Sequence, residues 1–352
     1  MLLLLLACTG PDDTAAPAPD PLSWAVTAPG LYQAGHRAWT ITYTPPDGSG
    51  ERSVDLDLWY PTEDQDGREA SYDDLVDDPL AFEDATMAPP VHDGGYPVHV
   101  YSHGNQGFGG TSAFLARHLA SHGWVTIAPG HTGNRLQDYI DPKPTSIYIH
   151  RATDVSAALD ALATEVPEAD VSRVVLSGHS FGNYTCWAAG GATLDVPGIE
   201  QLCAEGGTNS GECTEGEIEA FRQGIDDPRV IATVHLAGTL DRRWFGDTGH
   251  RGMTGPVMFM SGTNDQVGQQ AQWDAIDGLD YTWLELEGGC HQTFALGSCS
   301  TLEADKGFHV VQSYALAFAR VALLDDDDTQ VIGILDGSVP IDPIVTFQRK
   351  TE

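Results

Sequence analysis

Strand-like and helix-like patterns of apolar residues alternate through the middle of the chain. Segments rich in apolar residues at 98–101, 124–128 and 171–176 predict short strands, and the last of these is interpreted as a strand buried on both faces of a parallel sheet. Between them, apolar residues at helical spacing predict helices at about 111–122 and 146–166. This alternation predicts an α/β fold with a mostly parallel central sheet flanked by helices.

The same pattern extends toward both ends of the chain. Further strands are predicted at 39–44, 54–60, 230–236, 257–260 and 281–286, and a last helix at 302–324. Residues 61–95 are acidic and rich in turn formers, which favours a long surface loop. The Gly- and Glu-rich stretch 193–227 interrupts the alternation and is interpreted as an insertion within one domain, 36–330.

Both termini differ from this body. Leu2 to Leu6 and Ala7 precede Cys8, a pattern that resembles a bacterial lipoprotein signal in which the cysteine is lipidated. Residues 9–35 are rich in Pro and Asp and are expected to form a disordered tether. Residues 331–352 are interpreted as a C-terminal extension. Segment 1–8 is thus interpreted as a lipoprotein-type signal segment, and the expectation is an exported bacterial lipoprotein, periplasmic or at the cell surface, with a lipid anchor to the membrane through Cys8.

The charge of the chain limits its partners. It has 51 acidic and 17 basic side chains and a formal net charge of -34. Nucleic-acid binding needs clustered Lys and Arg, so the composition argues against it, and also against electrostatic docking on anionic lipid. The oligomeric state stays open.

Five cysteines follow the signal segment, and export would permit disulfides. The two close pairs, Cys203 with Cys213 and Cys290 with Cys299, are the natural partners, although sequence alone does not determine connectivity. Cys186 lies in an apolar helical stretch and is expected to be buried rather than reactive.

The strongest chemical signal is Gly178-His179-Ser180-Phe181-Gly182, which fits G-x-S-x-G. It follows an apolar strand and opens a helix, the setting in which two glycines permit a sharp turn that lifts the serine hydroxyl above the sheet. The motif predicts Ser180 as a nucleophile. The alternative is a tight turn whose serine only caps the helix.

A serine of ordinary pKa needs a base, and the base needs an acid that orients it. His291 lies just beyond the last predicted strand and is the predicted base, whereas His309 falls inside the final helix. Asp265 and Asp241 each follow the end of a predicted strand, where catalytic groups of open α/β sheets meet. Asp265 is favoured as the acid because its Gly-Thr-Asn-Asp turn holds it nearer the strand exit, and Asp241 is the alternative.

Acyl transfer also needs donors for the oxyanion of the tetrahedral intermediate. The backbone N–H of Phe181 is one candidate, because it follows the nucleophile. The second candidate is the N–H of Asn105, in the loop 103–107 after the first parallel strand. The alternative interpretation of this segment is a flexible glycine loop.

Several motifs together resemble the dienelactone-hydrolase-like esterases of the α/β-hydrolase superfamily, and most closely bacterial relatives of platelet-activating-factor acetylhydrolase. The resemblance covers about residues 40–324. The motifs that carry it are Tyr101-Ser102-His103-Gly104, the elbow 178–182, Asp57-Leu58-Trp59-Tyr60-Pro61, Arg151 with Asp154, and Asp227-Pro228-Arg229-Val230.

The resemblance implies a carboxyl-ester hydrolase without metal or cofactor, acting on a small-molecule or lipid ester. Bacterial polyester hydrolases share the layout, but their Ser-Pro-Gly-Tyr or Phe loop differs from Ser102-His103-Gly104-Asn105. The acetylhydrolase layout favours Asp241 as the acid, whereas dienelactone and polyester hydrolases favour Asp265. A peptidase, an acyltransferase and a non-catalytic binding protein of the same fold remain alternatives.

Overall fold

The computed structural model describes residues 20–206, 208, 211 and 213–351. Its strands are β1 (Gln33–Tyr43), β2 (Arg52–Thr62), β3 (Glu69–Tyr72), β4 (Val76–Glu83), β5 (Tyr96–Ser102), β6 (Val125–Gly130), β7 (Ala169–His179), β8 (Val230–Leu236), β9 (Val257–Gly262), β10 (Tyr281–Leu286) and β11 (Val345–Lys350). Its α-helices are α1 (Ala113–Ser121), α2 (Ser146–Glu165), α3 (Gly182–Ala189), α4 (Val196–Ala204), α5 (Glu215–Gln223), α6 (Arg242–Phe245), α7 (Gln269–Ala275), α8 (Ala304–Leu324) and α9 (Thr329–Asp336). Short 3-10 helices lie at Pro21–Ser23, Gly109–Ser112, Gly249–Gly252 and His291–Phe294.

All of these strands belong to one sheet, in the order β11-β10-β9-β8-β7-β5-β6-β2-β1-β4-β3. Neighbouring strands from β6 through β5, β7, β8 and β9 to β10 are parallel, and β2 and β11 pair antiparallel to the two ends of that block. The predicted mostly parallel sheet is confirmed. Because the chain moves outward in opposite directions from β5, the carboxyl ends of β5 and β7 frame a crevice where such folds bind ligands.

Burial explains why these sequences form these strands. Every residue of β5 is buried, as is every residue of β9, as expected of central parallel strands covered by helices on both faces. The helices α2 and α3 pack on one face of the sheet, and α1 and α8 pack on the other. By length and composition α8 could cross a membrane, but 67% of its most apolar window is buried, as expected of a core helix.

The N-terminal part differs from the predicted tether. Residues 20–35 are ordered: Val26 is buried, and β1 begins at Gln33. The His118 side chain donates to the Val26 carbonyl oxygen (2.9 Å), and the Arg320 side chain donates to the Trp24 carbonyl oxygen (2.7 Å). These donors come from α1 and α8, so the order depends on contacts distant in sequence, which composition does not reveal.

Two other segments also join the sheet against expectation. The stretch 61–95, predicted as a loop, contains β3 and β4, and β4 pairs with β1. The predicted extension 331–352 contains β11, which pairs with β10 along its whole length. The strand β11 lies at one edge of the sheet, and β4 and β3 are the last two strands at the other edge.

The insertion 193–227 forms the helices α4 and α5, joined by a disulfide between Cys203 and Cys213. The disulfide between Cys290 and Cys299 is also present, and Cys186 is a buried free thiol. Both predicted pairings are therefore seen in the structure. The signal segment 1–8 with Cys8 lies outside the described residues.

Candidate active site

A sharp turn at Ser180 connects β7 to α3. Ser180 has a φ of +54°, in the left-handed region that non-glycine residues rarely adopt. A Cβ on Gly182 would stand 2.1 Å from the Ser102 carbonyl oxygen, and one on Gly178 would stand 2.2 Å from the Gly182 carbonyl oxygen. Only glycine permits such close backbone approach, which explains why the motif needs it on both sides of the serine.

Hydrogen bonds hold this strained turn. The Ser180 N–H donates to the Leu236 carbonyl oxygen at 2.8 Å. The buried Asn183 amide donates to the carbonyl oxygens of Ser180 (3.1 Å) and Leu236 (2.8 Å). Ser180 is thus fixed above the ends of β7 and β8, with the N-terminus of α3 behind it.

His291 is held by one of the two candidate acids. Its Nδ1 lies 2.8 Å from Asp265 Oδ2, and because a carboxylate only accepts, the ring N–H donates to it. Asp265 follows β9, and its own N–H donates to the Gly262 carbonyl oxygen at 3.0 Å. This tautomer leaves His291 Nε2 available as a proton acceptor.

Asp241 makes different contacts. Its carboxylate accepts from the Arg243 side chain, with 2.9 Å to Nε and 2.5 Å to Nη2, and also caps α6 through the Arg243 N–H. It lines the same cavity as Ser180 but is not bonded to His291. The geometry therefore pairs His291 with Asp265, and places Asp241 on the cavity wall as half of an ion pair.

Ser180 and His291 line one cavity of about 560 Å³ at the carboxyl edge of the sheet. This volume suits a small organic ligand. No hydrogen bond joins the Ser180 hydroxyl to His291, and such contacts commonly tighten only when substrate binds. The remaining lining residues are Phe181, Tyr184, Ala237, Gly238, Thr239, Leu240, Asp241, Arg242, Arg243 and Val267.

His179 is a contributor that sequence reasoning missed. Its Nε2–H donates to the His291 carbonyl oxygen (3.0 Å), and the two rings pack with centroids 4.7 Å apart. Burial, helped by the neighbouring His291, lowers the pKa of His179 to about 3, so it stays neutral and keeps that donor. The variable position before the serine therefore fixes the loop that carries His291. No local pattern distinguishes this role.

The loop after β5 is held in place by hydrogen bonds of His103. The His131 N–H donates to His103 Nε2 (3.1 Å), which places the His103 hydrogen on Nδ1, where it donates to the Gly104 carbonyl oxygen (2.7 Å). Burial lowers the pKa of His103 well below its usual range, so this tautomer is neutral. A Cβ on Gly104 would stand 3.2 Å from Ser180 Cβ, so the loop passes directly beside the elbow.

Asn105 is exposed at the tip of that loop, and Phe181 begins the turn into α3 on the other side. Phe181 lines the cavity with Ser180, whereas Asn105 is not among the lining residues and follows Gly104, the loop residue that passes beside Ser180. Within the described residues, no group of three or more His, Cys, Asp or Glu side chains is arranged to hold a metal ion.

Comparisons with known proteins agree with this architecture. A family model described as Chlorophyllase matches residues 76–196, a stretch that includes the loop after β5 and the whole elbow. A search of curated proteins gives no match. A ferulic acid esterase from Streptomyces cinnamoneus has a similar structure, with a TM-score of 0.64 and 21% identity, over 92% of this chain and 99% of that chain. The protein therefore has the α/β-hydrolase fold.

Proposed function

We propose that this protein is a serine hydrolase that cleaves carboxylic esters through an acyl-enzyme, with Ser180 as nucleophile, His291 as base and Asp265 as acid. One observation carries the proposal: Ser180 on its strained turn and His291, bonded to Asp265 at 2.8 Å, face the same cavity. Each of the three residues follows the carboxyl end of a strand.

The reaction follows from these positions. Ser180 Oγ attacks the ester carbonyl carbon while His291 Nε2 takes the hydroxyl proton, and the Phe181 and Asn105 N–H groups donate hydrogen bonds to the negatively charged carbonyl oxygen. Collapse of this intermediate breaks the bond to the alcohol oxygen, which leaves with the proton from His291. Water, deprotonated by the same imidazole, then attacks the acyl-enzyme; the bond to Ser180 Oγ breaks, Oγ takes the proton back from the imidazolium, and the carboxylic acid is released.

The choice of acid separates two layouts within the proposed class. Asp265 as the acid corresponds to the dienelactone and polyester hydrolases, and Asp241 corresponds to the acetylhydrolases. The bond between His291 and Asp265 supports the former, and the ion pair of Asp241 with Arg243 supports it further. The cavity wall combines aromatic and apolar side chains with that ion pair, which suits a small ester better than a peptide chain.

The test is the Ser180→Ala variant, assayed with p-nitrophenyl esters of graded acyl length. We expect turnover to fall by ~10⁴-fold or more, as triad deletions usually cost. Ser172→Ala is the control, since its exposed hydroxyl bonds only the nearby Asp170. Aminoacyl amides and added alcohols would reveal a peptidase or an acyltransferase instead. Hydrolysis retained by a Ser180→Ala protein with an unchanged circular-dichroism spectrum would contradict the proposal.

A further inference from the structure

Arg151 on α2 is a fully buried cation next to the elbow. Among the described residues, no carboxylate lies within ion-pair distance of it. Asp154 is one helical turn away, but its oxygens accept from Arg52 (2.7 and 2.9 Å), His131 (2.9 Å) and Tyr43 (2.7 Å). A buried charge without an ionic partner is costly. Its stabilisation must therefore come from other contacts.

Those contacts are with the loops of the candidate site. Arg151 Nη2 donates to Ser102 Oγ (3.0 Å) and to the His103 carbonyl oxygen, Nη1 donates to Asn134 Oδ1 (2.6 Å), and Nε donates to Thr185 Oγ1 (3.0 Å). One side chain thus ties together the end of β5, the loop after β6 and the helix that follows Ser180.

Both predicted oxyanion donors are linked to this side chain. The Asn134 amide donates to Asn105 Oδ1 (2.8 Å), and the Asn134 carbonyl oxygen accepts from the Gln106 N–H (3.0 Å). On the other side, the Arg151 guanidinium carbon lies 4.6 Å from the centre of the Phe181 ring, a cation–π distance. Arg151 therefore contacts Phe181 directly and reaches Asn105 through Asn134.

We propose that Arg151 is a positioning residue that holds the Asn105 and Phe181 donors in register and places a buried positive charge, without a direct ion pair, behind the oxyanion site. This inference rests on the proposed function. Burial lowers the pKa of Arg151 to about 9, which still leaves the guanidinium charged at neutral pH. Because the oxyanion forms only in the intermediate and its transition states, this arrangement stabilises them more than it stabilises the bound ester.

The test compares Arg151→Lys and Arg151→Gln with the wild type, at temperatures well below each unfolding midpoint. We expect Arg151→Gln to lower kcat by ~10- to 100-fold with KM within about threefold, since losing an oxyanion donor itself costs about 10²–10³. Arg151→Lys should recover part of kcat because it keeps the charge. Affinity for a trifluoromethyl ketone, which forms a tetrahedral adduct with serine, should fall in parallel with kcat/KM.

Arg320 provides a matched control. It is also a buried arginine, but it is bonded to Asp326 (2.7 Å) and to the N-terminal segment. Arg320→Gln should lower the unfolding midpoint while leaving kcat unchanged. A folded Arg151→Gln protein whose kcat is unchanged, or in which only KM changes, would contradict the inference.

Asn134→Ala tests the same link if Arg151→Gln does not fold. This variant removes the hydrogen bond from the Asn134 amide to Asn105 and leaves Arg151 in place. We expect kcat to fall several-fold. Asn105→Ala keeps the backbone N–H, and combining it with Asn134→Ala should add less than the sum of the two effects. An unchanged kcat for Asn134→Ala would overturn the inference. Failure of this inference can be distinguished from failure of the proposed function. If the proposed function were wrong, Ser180→Ala would retain activity or the wild type would cleave no ester.

Discussion

Single residues at the elbow combine strain with burial. A non-glycine residue at a left-handed φ costs about 1–3 kcal/mol, and Ser180 is kept there by backbone bonds and by the Asn183 amide. His179 beside it is neutral, and its donor holds the backbone of His291 rather than taking part in proton transfer. His179 is buried, whereas His291 lines the cavity.

The acid can be identified by comparing Asp265→Asn with Asp241→Asn. The carboxylate holds the imidazole in the useful tautomer, so we expect Asp265→Asn to lower kcat by roughly 10³–10⁴-fold. Asp241→Asn should weaken only the ion pair with Arg243 and change kcat little. Steady-state kinetics on one p-nitrophenyl ester decides between them, with thermal unfolding as the check on folding. If Asp241→Asn lost kcat while Asp265→Asn stayed active, the acid would be Asp241, as in the acetylhydrolase layout.

Among the elements, the three strands β1, β2 and β4 are joined by one buried histidine. His36 on β1 bonds Glu83 of β4 through Nδ1 (2.8 Å) and Asp57 of β2 through Nε2 (3.0 Å). Burial opposes its charge, but the hydrogen bonds to the two carboxylates outweigh burial and raise the pKa of His36 to about 9. A charged His36 therefore stabilises the β2-β1-β4 end of the sheet at neutral pH.

This contribution has a definite pH dependence. A pKa raised in the folded state gives stability that is fully present below pH 6.5 and is lost as the pH rises through about 9. The difference in unfolding free energy between wild type and His36→Gln should therefore be largest near pH 6. It should shrink by up to about 1.4 kcal/mol per pH unit above 6.5.

Chemical denaturation at several pH values measures this difference. His99→Gln is the control, because burial lowers the pKa of His99 to about 3 and the residue is neutral throughout this range. Its effect on stability should not change between pH 6.5 and 9. A constant difference for His36→Gln over the same range would show that His36 is not charged in the folded protein.

The molecule as a whole is strongly acidic, with a formal net charge of -34. Two of its 17 basic side chains, Arg151 and Arg320, are buried, so the surface is poorer in cations than the composition suggests. Such a surface repels anionic lipid headgroups, and electrostatic attraction cannot supply membrane affinity. If the protein is membrane-bound, the attachment must be hydrophobic.

We therefore expect membrane association to depend on Cys8. The protein expressed from its full sequence should enter the detergent phase in phase separation, because acyl chains supply affinity through their buried methylenes. Cys8→Ser should remain in the aqueous phase or keep its signal segment. Cys186→Ala is the matched control, since that free thiol is buried in the core. An unmodified Cys8 in mature protein, shown by mass spectrometry, would refute the lipid anchor.

The sequence by itself determined the features that depend on local pattern. Apolar runs and helical spacing located β7 to β10, α2 and α8, and the G-x-S-x-G motif located the turn at Ser180. The two disulfides could be predicted because each pair of cysteines is close along the chain. In each case the residues that determine the feature are close in sequence, or they recur at the spacing of a single helix or strand.

Only the tertiary structure decided which distant groups meet. Asp241 and Asp265 both follow strand ends, and the path of two loops determined which one bonds His291. The packing of 20–35, the edge position of β11 and the contacts of Arg151 with both sides of the elbow likewise join segments far apart in the chain. Such contacts depend on how elements dock, and hydrophobic periodicity within one element carries no information about them.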